Sequence, residues 1–311
     1  MTTKQIVLIV GMGRSGTSAL TRVLSLCGCA LPQRVLGSTE INRKGIWESV
    51  DIWKMNLQFL HSHHSGAFDP SMELQQSSLG AEQTEAYIRQ AQQYLSEATS
   101  GSALLIKQPT LSYVMELWLE ATRRAGYDTK VIIPVRHPSE VHASATKMYA
   151  ANGMSVSVEL MNAVWLKRTL LAERHSRKLP RIFVEYSNLL RDWRHEVLRI
   201  QRTLGLDLRP DEPAIDDFLT PDLHRQRNDQ PVQETFCHSW TTKAYAIAST
   251  AARDEPVDTE ALDEIYDSYC AAERSFRIAF KDFGNIYQHV SAEQFKEDLD
   301  RWPVLEAGQD F

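Results

Sequence analysis

Three cations stand where apolar runs stop. Arg14 comes shortly after the run Ile6 to Val10, Lys107 directly after Ala103 to Ile106, and Arg136 directly after Lys130 to Val135. Around the first of them the chain reads Gly11-Met12-Gly13-Arg14-Ser15-Gly16-Thr17-Ser18. Glycines there permit positive φ and a close backbone approach. Successive N–H groups leading into a helix N-terminus favour an anionic group. A tight turn that merely packs helix on strand would leave Arg14 and the three hydroxyls of Ser15, Thr17 and Ser18 without a purpose. The chemistry these residues suit is the binding of an anion and the neutralisation of charge that develops on it.

The elements that must position them are legible. Ile6 to Val10 is β-branched and uniformly apolar, which predicts a strand buried on both faces of a parallel sheet. Ala19, Leu20, Val23, Leu24 and Cys27 recur at helical spacing, and Gly28 is the expected stop. Ala103 to Ile106, Lys130 to Val135 and Arg181 to Glu185 read as further strands. In open parallel sheets ligands bind beyond the carboxyl ends of the strands, so Arg14, Lys107 and Arg136 are expected to converge. Pro138 suits the first turn of a helix carrying Val141 to Met148. A helix is expected to start near Val50. Another should carry Leu190, Trp193, Val197, Ile200 and Leu204 on one face, closed by Gly205. Residues 207–256, rich in Pro, Asp, Arg and Gln, read as an irregular covering segment. The last helix has Leu262, Ile265, Tyr269, Ala272, Phe276 and Ala279 on one stripe, read as core packing. The expected fold class is α/β, a P-loop-like central parallel β-sheet flanked by helices, with helical insertions and a mostly helical C-terminal part. One domain over residues 1–311 fits better than two.

Composition bounds the partners. The 311 residues are 43% hydrophobic and 24% charged, ordinary globular values. A formal charge of −6 argues against a general nucleic-acid coat while allowing a local basic pocket. Four cysteines make no disulfide framework, and no CxxC pair suggests zinc. The apolar run Ile6 to Val10 is shorter than a signal-peptide core. No stretch approaches the ~20 apolar residues of a membrane helix. A soluble cytoplasmic protein with reduced, buried thiols is expected.

The first loop has a Walker-like frame, but Thr17 stands where the Walker lysine belongs and the charge has moved to Arg14. That disfavours an ATP or GTP phosphoryl-transfer site. Val10 to Leu20, VGMGRSGTSAL, resembles the 5′-phosphosulfate loop of sulfotransferases, bacterial and carbohydrate-type members included. These enzymes move a sulfuryl group from the co-substrate 3′-phosphoadenosine-5′-phosphosulfate (PAPS) to an acceptor. The resemblance implies that Arg14, Ser15, Gly16, Thr17 and Ser18 hold the 5′-phosphate and sulfuryl oxygens. It also implies a second anion site for the 3′-phosphate, formed by a strand-end arginine and a serine eight residues on. Arg136 and Ser144 match, with Pro138 between them. Arginine suits the task, since its planar fork binds phosphate bidentately and stays charged. Val184 to Leu190 resembles the YEDLL stretch of bacterial members, with Ser187-Asn188 in place of Glu-Asp, and reads as a helix start.

By the same resemblance, Lys107 matches a strand-end K-x-P lysine that touches the bridging oxygen or the acceptor. Asn42 to Glu48 looks like the N-x-x-G-x-x-E region of bacterial and glycan-type members, making Glu48 the candidate general base. Glu40 and His137 are the alternatives. The acceptor implied is a hydroxyl of a carbohydrate or glycolipid, with no metal needed. Competing readings are a P-loop nucleotide kinase or other NTP-using enzyme, and a non-catalytic nucleotide-binding module of the same fold. The His61 to His64 run is read as a solvated loop. Arg225 and Arg227 are solvated charges or a cover over the site. Trp47, Trp53 and Tyr113 are core aromatics or a stacking surface for a sugar.

Overall fold

The computed structural model describes residues 4–38, 44–98, 103–151, 153–220, 231–235 and 238–289. Glu40, Asn42, Arg225, Arg227 and Cys237 lie outside them.

Four parallel strands form the centre: β1 (Lys4–Ile9), β2 (Leu104–Lys107), β3 (Tyr127–Val135) and β4 (Arg181–Glu185), in the order β2-β1-β3-β4. Before β2 come α1 (Thr17–Leu26), α2 (Val50–Ser62), α3 (Glu73–Gln76) and α4 (Ala81–Glu97). A 3-10 turn (Pro109–Val114) leads into α5 (Met115–Arg124), and α6 (Pro138–Ala150) and α7 (Val158–Ser176) lie between β3 and β4. The chain continues through α8 (Tyr186–Arg191), α9 (Trp193–Leu204), α10 (Glu212–Phe218), α11 (Trp240–Ala251) and α12 (Thr259–His289).

Period-2 alternation explains how so apolar a sheet is covered. Ile6 and Leu8 of β1 enter one core with Ile52, Tyr87 and Trp118. Val7 and Ile9 enter the opposite core with Leu20, Val23, Trp193 and Ile200. The neighbouring strands divide in the same way: Val131 and Ile133 go to the first core and Ile132 to the second. Helices therefore lie on both faces, as expected of an α/β fold.

Several boundaries differ from the sequence expectation. β2 extends to include Lys107, and β3 starts at Tyr127. The helix expected across Leu190 to Leu204 is broken at Asp192, whose carboxylate accepts from the His195 N–H at 3.0 Å and caps α9. Gly205 closes α9 at φ 61°. Residues 207–256 are not wholly irregular, since α10 and α11 lie there. The buried face of α11 is Thr241, Ala244, Ala248 and Ala251, residues too small to give an apolar stripe. The stripe on α12 is core only in its first half. Leu262, Ile265 and Tyr269 are buried, whereas Phe276 is 69% exposed and Ala279 is exposed. At 31 residues the helix runs about 46 Å and outreaches the layer it covers.

The cysteines described, Cys27, Cys29 and Cys270, are buried and free. Burial pushes the Cys27 and Cys29 thiols up to about 12, which suits inert thiols. Among the described residues no helix is long and apolar enough to cross a membrane.

Candidate active site

β1 and β3 hold the loop in place: the Val10 N–H donates to the Ile132 carbonyl at 3.1 Å, and Gly11, at φ 114°, donates to Ser112 Oγ at 3.0 Å. Two further residues turn left-handed, Arg14 at φ 67° and Gly16 at φ 80°. α1 then starts at Thr17 with no side-chain cap on its first turn. Its leading N–H groups have no intrahelical acceptor and carry the positive end of the helix dipole. Ser15 is 1% exposed, and its Oγ has no hydrogen-bond partner among the described residues. Such a buried orphan hydroxyl fits a site that expects a polar ligand. Glycine at 16 is a steric requirement, because a Cβ there would stand 2.1 Å from a ring carbon of Tyr186.

The second motif abuts the first. Arg136 follows β3 and is 8% exposed. It donates through Nη1 to the Arg14 carbonyl at 3.0 Å and through Nε to Glu140 at 2.8 Å. Its guanidinium lies 4.9 Å over the ring of Tyr186, the ring that covers Gly16. Arg14 in turn donates through Nε to Ser144 Oγ at 3.0 Å. Gly16, Tyr186, Arg136, Arg14 and Ser144 are thus one contiguous structure drawn from three strand ends. Burial lowers the Arg14 pKa, and the charge of Arg136 lowers it further. Two guanidinium groups so placed favour an anion between them. His137 has a structural role: its Nδ1 accepts the Ser139 N–H at 3.3 Å and caps α6.

Lys107 and Glu48 form the third part. Lys107, 2% exposed at the end of β2, donates through Nζ to Glu48 Oε1 at 2.7 Å and to Ser18 Oγ at 3.4 Å. Ser18 Oγ donates to the Ile46 carbonyl at 3.0 Å. Burial drives the Lys107 pKa down, the Glu48 carboxylate pushes it back up, and Arg14 lowers it again. Glu48 precedes Ser49, whose Oγ accepts the Ile52 N–H and caps α2. A carboxylate and an ammonium therefore meet beside the N-terminus of α1, an arrangement able to accept a proton and to neutralise a departing oxygen.

Other candidates lie elsewhere. Tyr113 is buried in the 3-10 turn and donates to the Ala67 carbonyl at 3.2 Å. Trp53 on α2 is 39% exposed, so it is not a core aromatic. His61 is in the last turn of α2, not in a loop, and His63 Nδ1 meets the Phe59 carbonyl at 2.8 Å. Among the described residues no group of three His, Cys, Asp or Glu is placed to hold a metal ion.

Two neighbours of the loop escaped the sequence reading. Tyr186 appeared there only as a helix start. Arg168 on α7 is 3% exposed, donates to Tyr113 Oη at 3.1 Å and lies 3.9 Å from Met12 Sδ. The available signal was the pair Lys167-Arg168 inside an otherwise apolar helical run, since buried cations need partners.

The fold is a parallel α/β sheet whose first loop, Gly11 to Ser18, meets residues at the ends of β2, β3 and β4. The sequence matches the Sulfotransferase family over residues 7–210, and the chain belongs to that family. No curated protein matches it. Among solved structures it is similar to the sulfotransferase domain of the Synechococcus PCC 7002 olefin synthase, at 20% identity and a TM-score of 0.43, over 82% of this chain and 98% of that one. It is similar too to the sulfotransferase domain from the curacin biosynthetic pathway, at 18% identity and a TM-score of 0.42, over 86% of this chain and 98% of that one.

Proposed function

We propose that this chain is a cytoplasmic enzyme that transfers the sulfuryl group of PAPS to an acceptor hydroxyl of a carbohydrate or glycolipid. The observation that carries the reading is the junction of the two anion motifs, Arg136 Nη1 to the Arg14 carbonyl and Arg14 Nε to Ser144 Oγ. A donor with phosphate groups at both its 3′ and 5′ ends needs two adjoining cationic sites, and an NTP needs only one. PAPS supplies an activated sulfuryl group on its 5′-phosphate and a separate 3′-phosphate for recognition.

The residues divide the work. Ser15, Gly16, Thr17 and Ser18, with the free N–H groups of α1, hold the 5′-phosphosulfate. Arg136 and Ser144 hold the 3′-phosphate, and Arg14 bridges the two. Glu48 takes the hydroxyl proton as the new O–S bond forms. Lys107 and Arg14 meet the charge left on the departing oxygen, so catalysis is mainly positioning and electrostatic stabilisation. The carbohydrate class rests on the resemblance of Asn42 to Glu48 to glycan-type members. Free buried thiols are in keeping with a reducing compartment.

A panel of saccharide and glycolipid acceptors with PAPS, followed by release of 3′,5′-ADP, tests the activity. Glu48→Gln is expected to lower kcat by about 10²–10⁴-fold with PAPS affinity unchanged. An undiminished rate in that variant would remove Glu48 from the role. Turnover with none of the acceptors, alongside preferential binding of ATP with Mg²⁺, would overturn the sulfotransferase reading.

A further inference from the structure

Glu48 is mounted on a strained turn. Trp47, the residue before it, has φ 62°. A left-handed backbone is an outlier for a bulky side chain, and glycine would adopt it without cost. Such conformations persist only where surrounding contacts hold them. Here the contacts are specific. The indole Nε1–H donates to the Lys44 carbonyl at 2.9 Å. The ring lies flush on Gly45, itself at φ 93°, where a Cβ would come within 2.7 Å of the indole. The Arg22 guanidinium stands 4.9 Å over the ring.

Arg22 belongs to α1, one turn beyond Ser18, and Ser18 Oγ holds the Ile46 carbonyl. Residues at i and i+4 share a helix face, so one face of α1 clamps the segment on both sides of the Ile46–Trp47 bond. The backbone is paired as well: Ile46 N–H to the Gly37 carbonyl, Trp47 N–H to the Leu36 carbonyl, and Leu36 N–H to the Glu48 carbonyl. The helix that supplies the anion-binding N-terminus thereby also fixes the carboxylate that meets Lys107.

From this geometry we infer that Trp47 is a positioning residue: its strained backbone and anchored indole tie Glu48 to α1, keeping the carboxylate against Lys107. The functional meaning rests on Glu48 being the general base. The positioning itself does not, and the two are separable by experiment.

The test uses the full chain as wild type, Trp47→Gly, Trp47→Phe, Glu48→Gln and the double variant Trp47→Gly/Glu48→Gln. Trp47→Gly relieves the strain and removes the anchor, and Trp47→Phe keeps the ring packing should the glycine variant fail to fold. Crystal structures give the Glu48–Lys107 separation. PAPS solvolysis, with water as acceptor, gives kcat and KM, and calorimetry gives 3′,5′-ADP affinity. The separation should open beyond about 4 Å in Trp47→Gly, the outer limit of an ion pair. Its kcat should fall ~100-fold, the cost of a misplaced catalytic group. KM for PAPS and 3′,5′-ADP affinity should stay at wild-type values, and Trp47→Phe should recover most of the rate. The double variant should be no slower than Glu48→Gln, since both changes act through one carboxylate. A Glu48–Lys107 contact kept at the wild-type distance in Trp47→Gly overturns the inference, as does a slower double variant. A wild-type rate in Glu48→Gln sinks the general-base reading instead, and the separation in Trp47→Gly still decides the positioning.

Discussion

Lys107→Met is expected to lower kcat for sulfuryl transfer by about 10²–10³-fold, the loss typical of removing one preorganised charge-stabilising group. Nucleotide affinity stays within a few-fold. Lys107 is 2% exposed and donates to Glu48 at 2.7 Å, so its ammonium is held in a low-dielectric site where one charge is worth more than in water. Methionine keeps an unbranched apolar stem of nearly the same length but carries neither the charge nor the donors. The variant therefore loses neutralisation of the departing oxygen and leaves the Glu48 carboxylate without its cation. The pH dependence supplies a second readout. The role proposed for Lys107 requires the charged ammonium, and burial lowers its pKa. The basic limb of kcat in the wild type should then lie below the ~10.4 of an exposed lysine. Activity is full below that limb and lost as pH rises through it. In Lys107→Met the limb disappears. A kcat–pH profile from pH 6 to 11 on both proteins checks this, and a basic limb that survives in the variant assigns it to another group.

Gly16→Ala is expected to weaken 3′,5′-ADP and PAPS binding by ~100-fold or more, about 2.7 kcal/mol. Two costs combine. Alanine at φ 80° occupies a region that costs L-residues roughly 1–2 kcal/mol. Its Cβ would stand 2.1 Å from the Tyr186 ring, so the ring must leave. That ring also lies under the Arg136 guanidinium at 4.9 Å, so its displacement disturbs both anion motifs together. Tyr186→Ala opens the space, and in that background Gly16→Ala should incur only the backbone cost. Calorimetric affinity and Tm on the three variants separate the terms. Wild-type nucleotide affinity in Gly16→Ala would show that the loop does not use this turn to bind.

Much of this architecture is legible in the sequence. The four strands announce themselves because each is centred on a short apolar run, Ile6 to Ile9, Leu104 to Ile106, Val131 to Val135 and Ile182 to Val184, buried on both faces. The cations at their ends follow from the same boundaries. The pairing of Arg136 with Ser144 rests on the resemblance to sulfotransferases, since an arginine and a serine eight residues apart carry no such signal by spacing alone. What escaped was non-local. Nothing in the order of residues places the Tyr186 ring on Gly16, 170 positions away, or pairs Lys107 with Glu48, because such contacts depend on how helices settle on the sheet. Arg168 lies in α7, which is buried on nearly every side and has no single apolar face, so its spacing does not mark which neighbour the guanidinium meets. The buried face of α11 consists of alanines and a threonine, which carry too little hydrophobic contrast to register. Phe276 was misread because periodicity reports a helical stripe and not where its covering layer ends.

The two adjoining cationic sites are proposed to receive a nucleotide bearing phosphates at both its 3′ and 5′ positions. Isothermal calorimetry with 3′,5′-ADP, 5′-ADP and ATP, without and with Mg²⁺, on wild type and Arg136→Ala, tests it most directly. The wild type is expected to show a marked preference for 3′,5′-ADP. Arg136→Ala should weaken that ligand about 10- to 100-fold, the worth of one or two charge-assisted hydrogen bonds, and leave 5′-ADP almost unchanged. Equal or tighter binding of ATP with Mg²⁺, indifferent to Arg136, would contradict it.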